Sequence, residues 1–379
     1  MVKTRFLVAV IAAASLFMVA CSKPSASGVW TALETNTTDA FFSVNFVNED
    51  VGWLNGQTDR GYVPPEDADN ENANANKAPK PKASAKKPDD PLKANQGFEV
   101  LHTTNGGATW KQLPDQFKYK IRQVWFVDEH MGWALTIDRD ILYTGDGGAT
   151  WATQRKAGKI KMKITGYKPP EMEQPEQLDN IRFIDKQHGW AWGGGRKDEY
   201  AEQPGTFLIT TDGGQHWNET PFPFEQPAAC IFFLNERTAW ASSDSSGFYK
   251  TTDGGLNWSQ ATRPSSERVY RSICFADENH GWAAGRSGRM VRTADGGKTW
   301  EKLYQVKDEF KMRAVYFIDA RRGWAVGDDG KILYTTDGGD EWLVAPTPFP
   351  ARLLHVVFPN ARTGYAAGLD GVVWKYEAR

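Results

Sequence analysis

The chain has few of the residues that identify most enzymes and metalloproteins. Of 379 residues only three are cysteine and six histidine. Cys230 and Cys274, the two that remain beyond Cys21, cannot build a disulfide framework, and no CxxC pair is available to ligate zinc. Both lie in apolar, strand-like runs where a free thiol behaves as a small core hydrophobe; a bridge between them is the alternative. A basic excess is also missing. Forty-five basic against 47 acidic residues leave a formal charge of −2, which argues against nucleic acid as the main partner. No Ser/His/Asp spacing, phosphate-cradling glycine loop or histidine-rich cluster occurs, so no catalytic residue, metal or cofactor is expected.

What the chain has in abundance is repetition. One pattern recurs six times: TTNGGATW ending at Trp110, TGDGGATW at Trp151, TTDGGQHW at Trp217, TTDGGLNW at Trp258, TADGGKTW at Trp300 and TTDGGDEW at Trp342. From Trp217 onward the spacing is 41, 42 and 42 residues, the length of one four-stranded propeller blade. A second mark keeps step with the first, a phenylalanine followed seven residues later by an aromatic: Phe46/Trp53, Phe126/Trp133, Phe183/Trp190, Phe233/Trp240, Phe275/Trp282, Phe317/Trp324 and Phe358/Tyr365. Seven marks against six boxes mean that the last unit stops before its fourth strand. Val29-Trp30-Thr31-Ala32-Leu33 looks like the segments that follow each box, so the N-terminal strand can complete the final blade. The expected fold is therefore all-β, a seven-bladed propeller of four-stranded antiparallel blades over residues 28–379.

The box residues suit a tight turn. The carboxylates of Asp146, Asp212, Asp253, Asp295 and Asp337, and the amide of Asn105, accept backbone N–H bonds, while the glycines adopt positive φ. The box tryptophan is expected to insert between neighbouring sheets, where burying about 150–250 Å² contributes roughly 4–6 kcal/mol as an upper estimate. Six of the sixteen tryptophans lie in boxes and six in the Gly-Trp-like position, so aromatic richness reads as architecture, not as a sugar-stacking platform. The repeated aspartates likewise read as structural, not as glycosidase carboxylates or calcium ligands.

At the N-terminus, Lys3 and Arg5 precede the apolar run Phe6 to Val19, which is short for a bilayer span and fits a secretory signal. Met18-Val19-Ala20-Cys21 resembles the lipobox of bacterial lipoproteins. That resemblance implies a signal peptide over 1–20, an acylated Cys21, and a linker over 21–27. Ser22 in place of an acidic residue resembles an outer-membrane-directed anchor, so the expected location is extracytoplasmic, at the periplasmic face of the outer membrane.

The boxes match the S/T-x-D-x-G-x-x-W pattern called the Asp-box or BNR repeat, shared by sialidases, xyloglucan hydrolases, sortilin-type receptors and photosystem II stability and assembly factors. The whole unit, as in MRAVYFIDARRGWAVGDDGKILYTTDGGDEW, is similar to the last of these, the Ycf48-like family. That resemblance implies a lumenal or periplasmic propeller that binds membrane-protein intermediates, has no catalytic site and presents an arginine patch. A sialidase-like glycosyl hydrolase is the alternative, but the Arg-Ile-Pro motif such enzymes carry is absent.

Three segments break the period: residues 57–96, Lys156 to Leu178, and Gly194 to Gly205. By propeller topology all three open on the face opposite the boxes. The first is an Asn/Ala/Pro/Lys tract with almost no apolar residue, expected to be disordered. On the same face the innermost strand should begin four residues before the marker phenylalanine, at Arg122, Arg271 and Arg313. Arg352 lies near that level in blade seven and Arg286 in a blade-five loop. Converging guanidinium groups there are the candidate site for a carboxylate-bearing or acidic peptide partner, held by a monomeric ring; separate, solvent-screened charges are the other reading.

Overall fold

The computed structural model describes residues 28–379 apart from 38, 58–97, 115, 165–170, 198–200, 225–226, 244–246, 262–269, 286–287, 304–310 and 348. The leader with Cys21, nearly all of the 57–96 tract and Arg286 therefore lie outside the described residues. The rest forms seven four-stranded antiparallel sheets whose innermost strands neighbour one another around a common axis. Those strands are Ala40–Phe46, Ile121–Phe126, Asn180–Phe183, Ala228–Phe233, Tyr270–Phe275, Met312–Phe317 and Leu353–Val357 for blades one to seven. The N-terminal strand Gly28–Leu33 pairs antiparallel with Val373–Ala378, setting Trp30 opposite Tyr376, and closes blade seven as the sequence predicts.

The two sequence marks prove to be one inter-blade device. Each marker phenylalanine stacks on the seven-residue-later aromatic of the preceding blade. These are Trp53 on Phe126, Trp133 on Phe183, Trp190 on Phe233, Trp240 on Phe275, Trp282 on Phe317, Trp324 on Phe358 and Tyr365 on Phe46, with ring centroids 3.5–4.0 Å apart. Five of these tryptophans also donate a hydrogen bond to a box glycine of the next blade: Trp53 Nε1 to the Gly147 carbonyl, Trp133 to Gly213, Trp190 to Gly254, Trp240 to Gly296 and Trp282 to Gly338, at 2.7–3.2 Å. Except in blade four, where Ala239 precedes Trp240, the residue before each such tryptophan is a glycine that leaves room for the marker ring of its own blade. A Cβ on Gly132, for example, would lie 2.4 Å from the Phe126 ring.

Each box is a closed hydrogen-bonded turn. In blade two, Asp146 Oδ1 accepts from Thr144 Oγ1 (2.7 Å) and the Thr150 N–H (2.9 Å), Oδ2 accepts from Thr150 Oγ1 (2.6 Å), and Thr144 Oγ1 accepts from the Gly148 N–H (3.0 Å). Gly147 and Gly148 have φ of 74° and 94°, conformations a side chain would penalise. Asp212, Asp253, Asp295 and Asp337 take the same threonine and backbone bonds. Asn105 keeps the acceptor, but its amide donates to Thr109 Oγ1 (2.9 Å) where a carboxylate would accept.

Two sequence expectations change. The aromatic wholly enclosed between sheets is the Gly-Trp tryptophan, with Trp53, Trp133, Trp240 and Trp282 at 0% exposure, whereas the box tryptophans sit edge-on to a phenylalanine and four of the six are only half-buried. The second and third insertions, moreover, are not separate loops. Lys159–Ile164 and Glu171–Pro175 form a hairpin that pairs with Ala201–Gln203, which in turn pairs with Arg196–Lys197, giving an eighth small sheet. Buried Glu176 pins this sheet to blade two: it accepts from both Arg155 guanidinium nitrogens and from the Gly158 N–H.

Candidate functional site

The antiparallel register places the start of every innermost strand on one face and the boxes on the other, where each box's first glycine bonds to the turn between the first two strands of its blade, as Gly147 N–H does to the His130 carbonyl. The predicted arginines occupy a special backbone position on the first of these faces. Six of the seven innermost strands shift register at the fourth residue before the marker phenylalanine, and in three of them the bulged residue is arginine: Arg122 between Ile121 and Gln123, Arg271 between Tyr270 and Ser272, and Arg313 between Met312 and Ala314. A bulge re-aims the side chain it carries, turning these three away from the regular in-out alternation.

The structure gathers four arginines into two groups, each around one aspartate. Arg122 and Arg139 both reach Asp179 Oδ1, at 2.9 and 2.8 Å. Arg313 and Arg352 both reach Asp328 Oδ1, at 3.0 and 3.2 Å. Among the described residues each group sets two guanidinium groups against one carboxylate. The environments differ. Arg313 and Asp328 are buried, with side chains 7% and 12% exposed, while Arg122 and Arg352 are 38% and 37% exposed. Arg313 is thus held in a buried, doubly hydrogen-bonded ion pair with Asp328, whereas Arg122 and Arg352 present their guanidinium groups to solvent. Arg271 is half-buried on blade five and belongs to neither group.

None of Arg139, Asp179 and Asp328 is among the site residues expected from the sequence. Arg139 sits at φ 70° in the turn between the second and third strands of blade two, Asp179 takes the blade-three position where other blades have arginine, and Asp328 lies in a short 3-10 turn, Asp328–Gly330. Repeat alignment would have exposed Asp179, since it stands four residues before Phe183.

The channel behind this face is lined by side chains that latch one blade to the next. Asn45 Oδ1 accepts from the Phe126 N–H, Gln123 Oε1 from Ile181 N–H and Ser272 Oγ from Val315 N–H, while Trp125 Nε1 and Tyr316 Oη donate to the Phe183 and Phe358 carbonyls. His355 is part of this lining, and burial pushes its pKa down to about 4 against the opposing hydrogen bond with the Phe42 backbone. Cys230 and Cys274 are free thiols here. Burial raises both, Cys274 to about 12, so neither is a ready thiolate. Among the described residues no group of three or more His, Cys, Asp or Glu side chains could hold a metal ion.

The sequence model of the family described as Photosynthesis system II assembly factor YCF48 matches residues 102–266 and 264–346. No curated protein matches the chain in sequence. Among solved structures, YCF48 bound to D1 peptide superposes with a TM-score of 0.66 at 17% identity, over 92% of this chain and 97% of that one. YCF48 from Cyanidioschyzon merolae gives 0.64 at 18% identity, over 92% and 98%. An ancestral GH74 enzyme gives 0.61 at 12% identity, over 91% of this chain and 46% of the enzyme.

Proposed function

We propose, from the premise that the chain belongs to the family of photosynthesis system II assembly factor YCF48, that it is a non-catalytic scaffold binding an acidic peptide segment of a membrane-protein partner. In this reading the strand-entry face of the ring does the binding. The observation that carries it is the pair of two-arginine, one-aspartate groups, Arg122/Arg139/Asp179 and Arg313/Arg352/Asp328. Each sets two guanidinium groups against one carboxylate and leaves one arginine part-exposed, whose planar fork can hold an incoming carboxylate bidentately. Arg271 adds a further cation on the same face. A YCF48 relative of the same fold has been solved with D1 peptide bound, which supports peptide binding as the mode. The likeness to the GH74 enzyme, at 12% identity, is one of fold and carries no activity over.

Acylation at Cys21 completes the proposal: the anchor holds the ring at the periplasmic face of a membrane, where its partner emerges. The test is affinity capture from detergent-solubilised membranes with the intact lipoprotein and with an Arg122→Gln/Arg352→Gln variant. Each aspartate then keeps one arginine, so the ring should stand while each group loses its part-exposed cation. Loss of a membrane-protein partner in the variant supports the reading; undiminished capture contradicts it.

A further inference from the structure

The central channel contains one cation that the strand-entry face does not account for. Arg182 lies one residue before Phe183 on the innermost strand of blade three, where other blades have Asn45, Trp125, Phe232, Cys274, Tyr316 or Val357. Its guanidinium packs over the Trp125 ring of blade two at 4.4 Å and within 5.9 Å of the Phe232 ring of blade four. It also senses Cys230, Cys274 and Tyr316, on blades four, five and six. A side chain of blade three that packs over rings of both blade two and blade four projects from its strand into the channel.

Arg182 has no ion pair or hydrogen bond among the described residues, and its Nε is buried without a partner. Burial works against its charge, but a guanidinium does not give up its proton in a protein. The neighbours cannot supply a counter-charge at neutral pH. Burial raises both thiols, and pushes Cys274 and Tyr316 up to about 12, while the Tyr316 hydroxyl already donates to the Phe358 carbonyl. Arg182 is half-buried, and an enclosed cationic donor such as its Nε is costly to leave unpaired.

We infer that the channel is a binding site for a small planar oxyanion of the monocarboxylate class, held edge-on by the Arg182 fork while Trp125 covers the guanidinium face. The arrangement suits that class: stacking on an aromatic face leaves the in-plane N–H groups pointing outward, where a planar carboxylate is matched bidentately. This site is separate from the four arginines of the strand-entry face, each of which already has an aspartate, and it does not depend on the peptide-binding proposal.

The probe is sodium formate replacing sodium fluoride at fixed ionic strength, with the full chain. At about ten times its dissociation constant formate should raise the midpoint of thermal unfolding of the wild type by about 2 °C. Arg182→Met should lose that rise and be no less stable than the wild type in fluoride, whereas Arg122→Gln/Arg352→Gln should keep it. Carbon-13 formate linewidths in the presence of the wild type give a second readout that needs no folded variant: broadening reversed by nitrate is expected. An absent formate response in the wild type, an equal response in Arg182→Met, or a response lost with the Arg122/Arg352 pair and kept without Arg182 would overturn the inference.

Discussion

Tyr365 of blade seven stacks on Phe46 of blade one, with ring centroids 3.5 Å apart and planes within 4°, and its hydroxyl donates to the Glu49 carbonyl at 2.8 Å. The residues are 319 positions apart in sequence, yet they repeat the contact that joins every other adjacent pair of blades. Tyrosine here stands where other blades have tryptophan, and its hydroxyl also lies 3.3 Å from the Gly106 carbonyl of the first box. This is where the ring closes. Tyr365→Phe keeps the stack and should lose about 1 kcal/mol; Tyr365→Ala should lose about 3–5 kcal/mol. Equilibrium denaturant unfolding checks both, and equal losses would mean that the stack contributes little.

The boxes give a second expectation. Asp146→Asn retains the acceptor that serves the Thr150 N–H, as Asn105 does in blade one, so it should be tolerated at a cost of about 0.5–1.5 kcal/mol. Asp146→Ala leaves the Thr144 and Thr150 donors without their carboxylate and should cost about 2 kcal/mol or more. Thermal or denaturant midpoints of the two variants should fall in that order.

The arginines of the strand-entry face should separate by burial. Arg313→Met leaves buried Asp328 with Arg352 alone and should destabilise the ring by about 3 kcal/mol. Arg122→Gln leaves Asp179 with Arg139 at a more exposed site and should cost within about 1 kcal/mol. Reversing the charge of Arg313 is therefore a test of folding, and Arg122 and Arg352 are the positions at which binding can be tested without it.

Acid should act in two windows. Burial depresses the folded pKa of His355 to about 4, so the unfolded chain takes up the proton first as pH falls. The stability from keeping this ring neutral is complete above about pH 6.5 and lost progressively toward pH 4. His102, lowered by burial and then by Lys111, adds to the same limb. The second window belongs to the boxes. The His216 backbone N–H and ring hold Asp212 at about 2, and at Asp295 the opposing effect of burial is outweighed by hydrogen bonds from Thr299 and Thr293, which also hold it at about 2. Their stability is present above about 3.8 and is lost as pH falls toward 2. His355→Gln should flatten the upper limb and leave the lower one. An unchanged slope between pH 6.5 and 4 would assign that limb elsewhere.

The sequence made the ring legible because its signals are local and periodic: a box fixes one turn, a marker phenylalanine fixes one innermost strand, and their unequal numbers locate the closing strand. It did not reveal that Phe126 and Trp133 face different neighbours, because a pair of aromatics seven residues apart looks the same whether it packs within a blade or between blades. A further repeated signal is an Asn or Asp two residues after every marker phenylalanine, as at Asn48, Asp128 and Asn360, whose side chain caps the following turn. The eighth sheet was not legible because Lys163 finds its partner Glu202 across two interruptions of the period. At the site, Arg122, Arg313 and Arg352 are legible in the sequence, whereas Arg139 and Asp328 are not, and Asp179 is marked only by standing at the arginine position of blade three. Asp179 and Asp328 come from different structural levels of their blades, and only the folded ring brings Asp328 to Arg352 of the next blade.

The most direct test of the functional account is fluorescence anisotropy of a labelled acidic peptide titrated with the wild type and with Arg122→Gln/Arg352→Gln at several salt concentrations. The account expects saturable binding that weakens with salt, and at least a tenfold loss of affinity in the double variant with its thermal midpoint within a few degrees of the wild type. Equal affinity of the two proteins, with both folded, would contradict binding through the paired arginines.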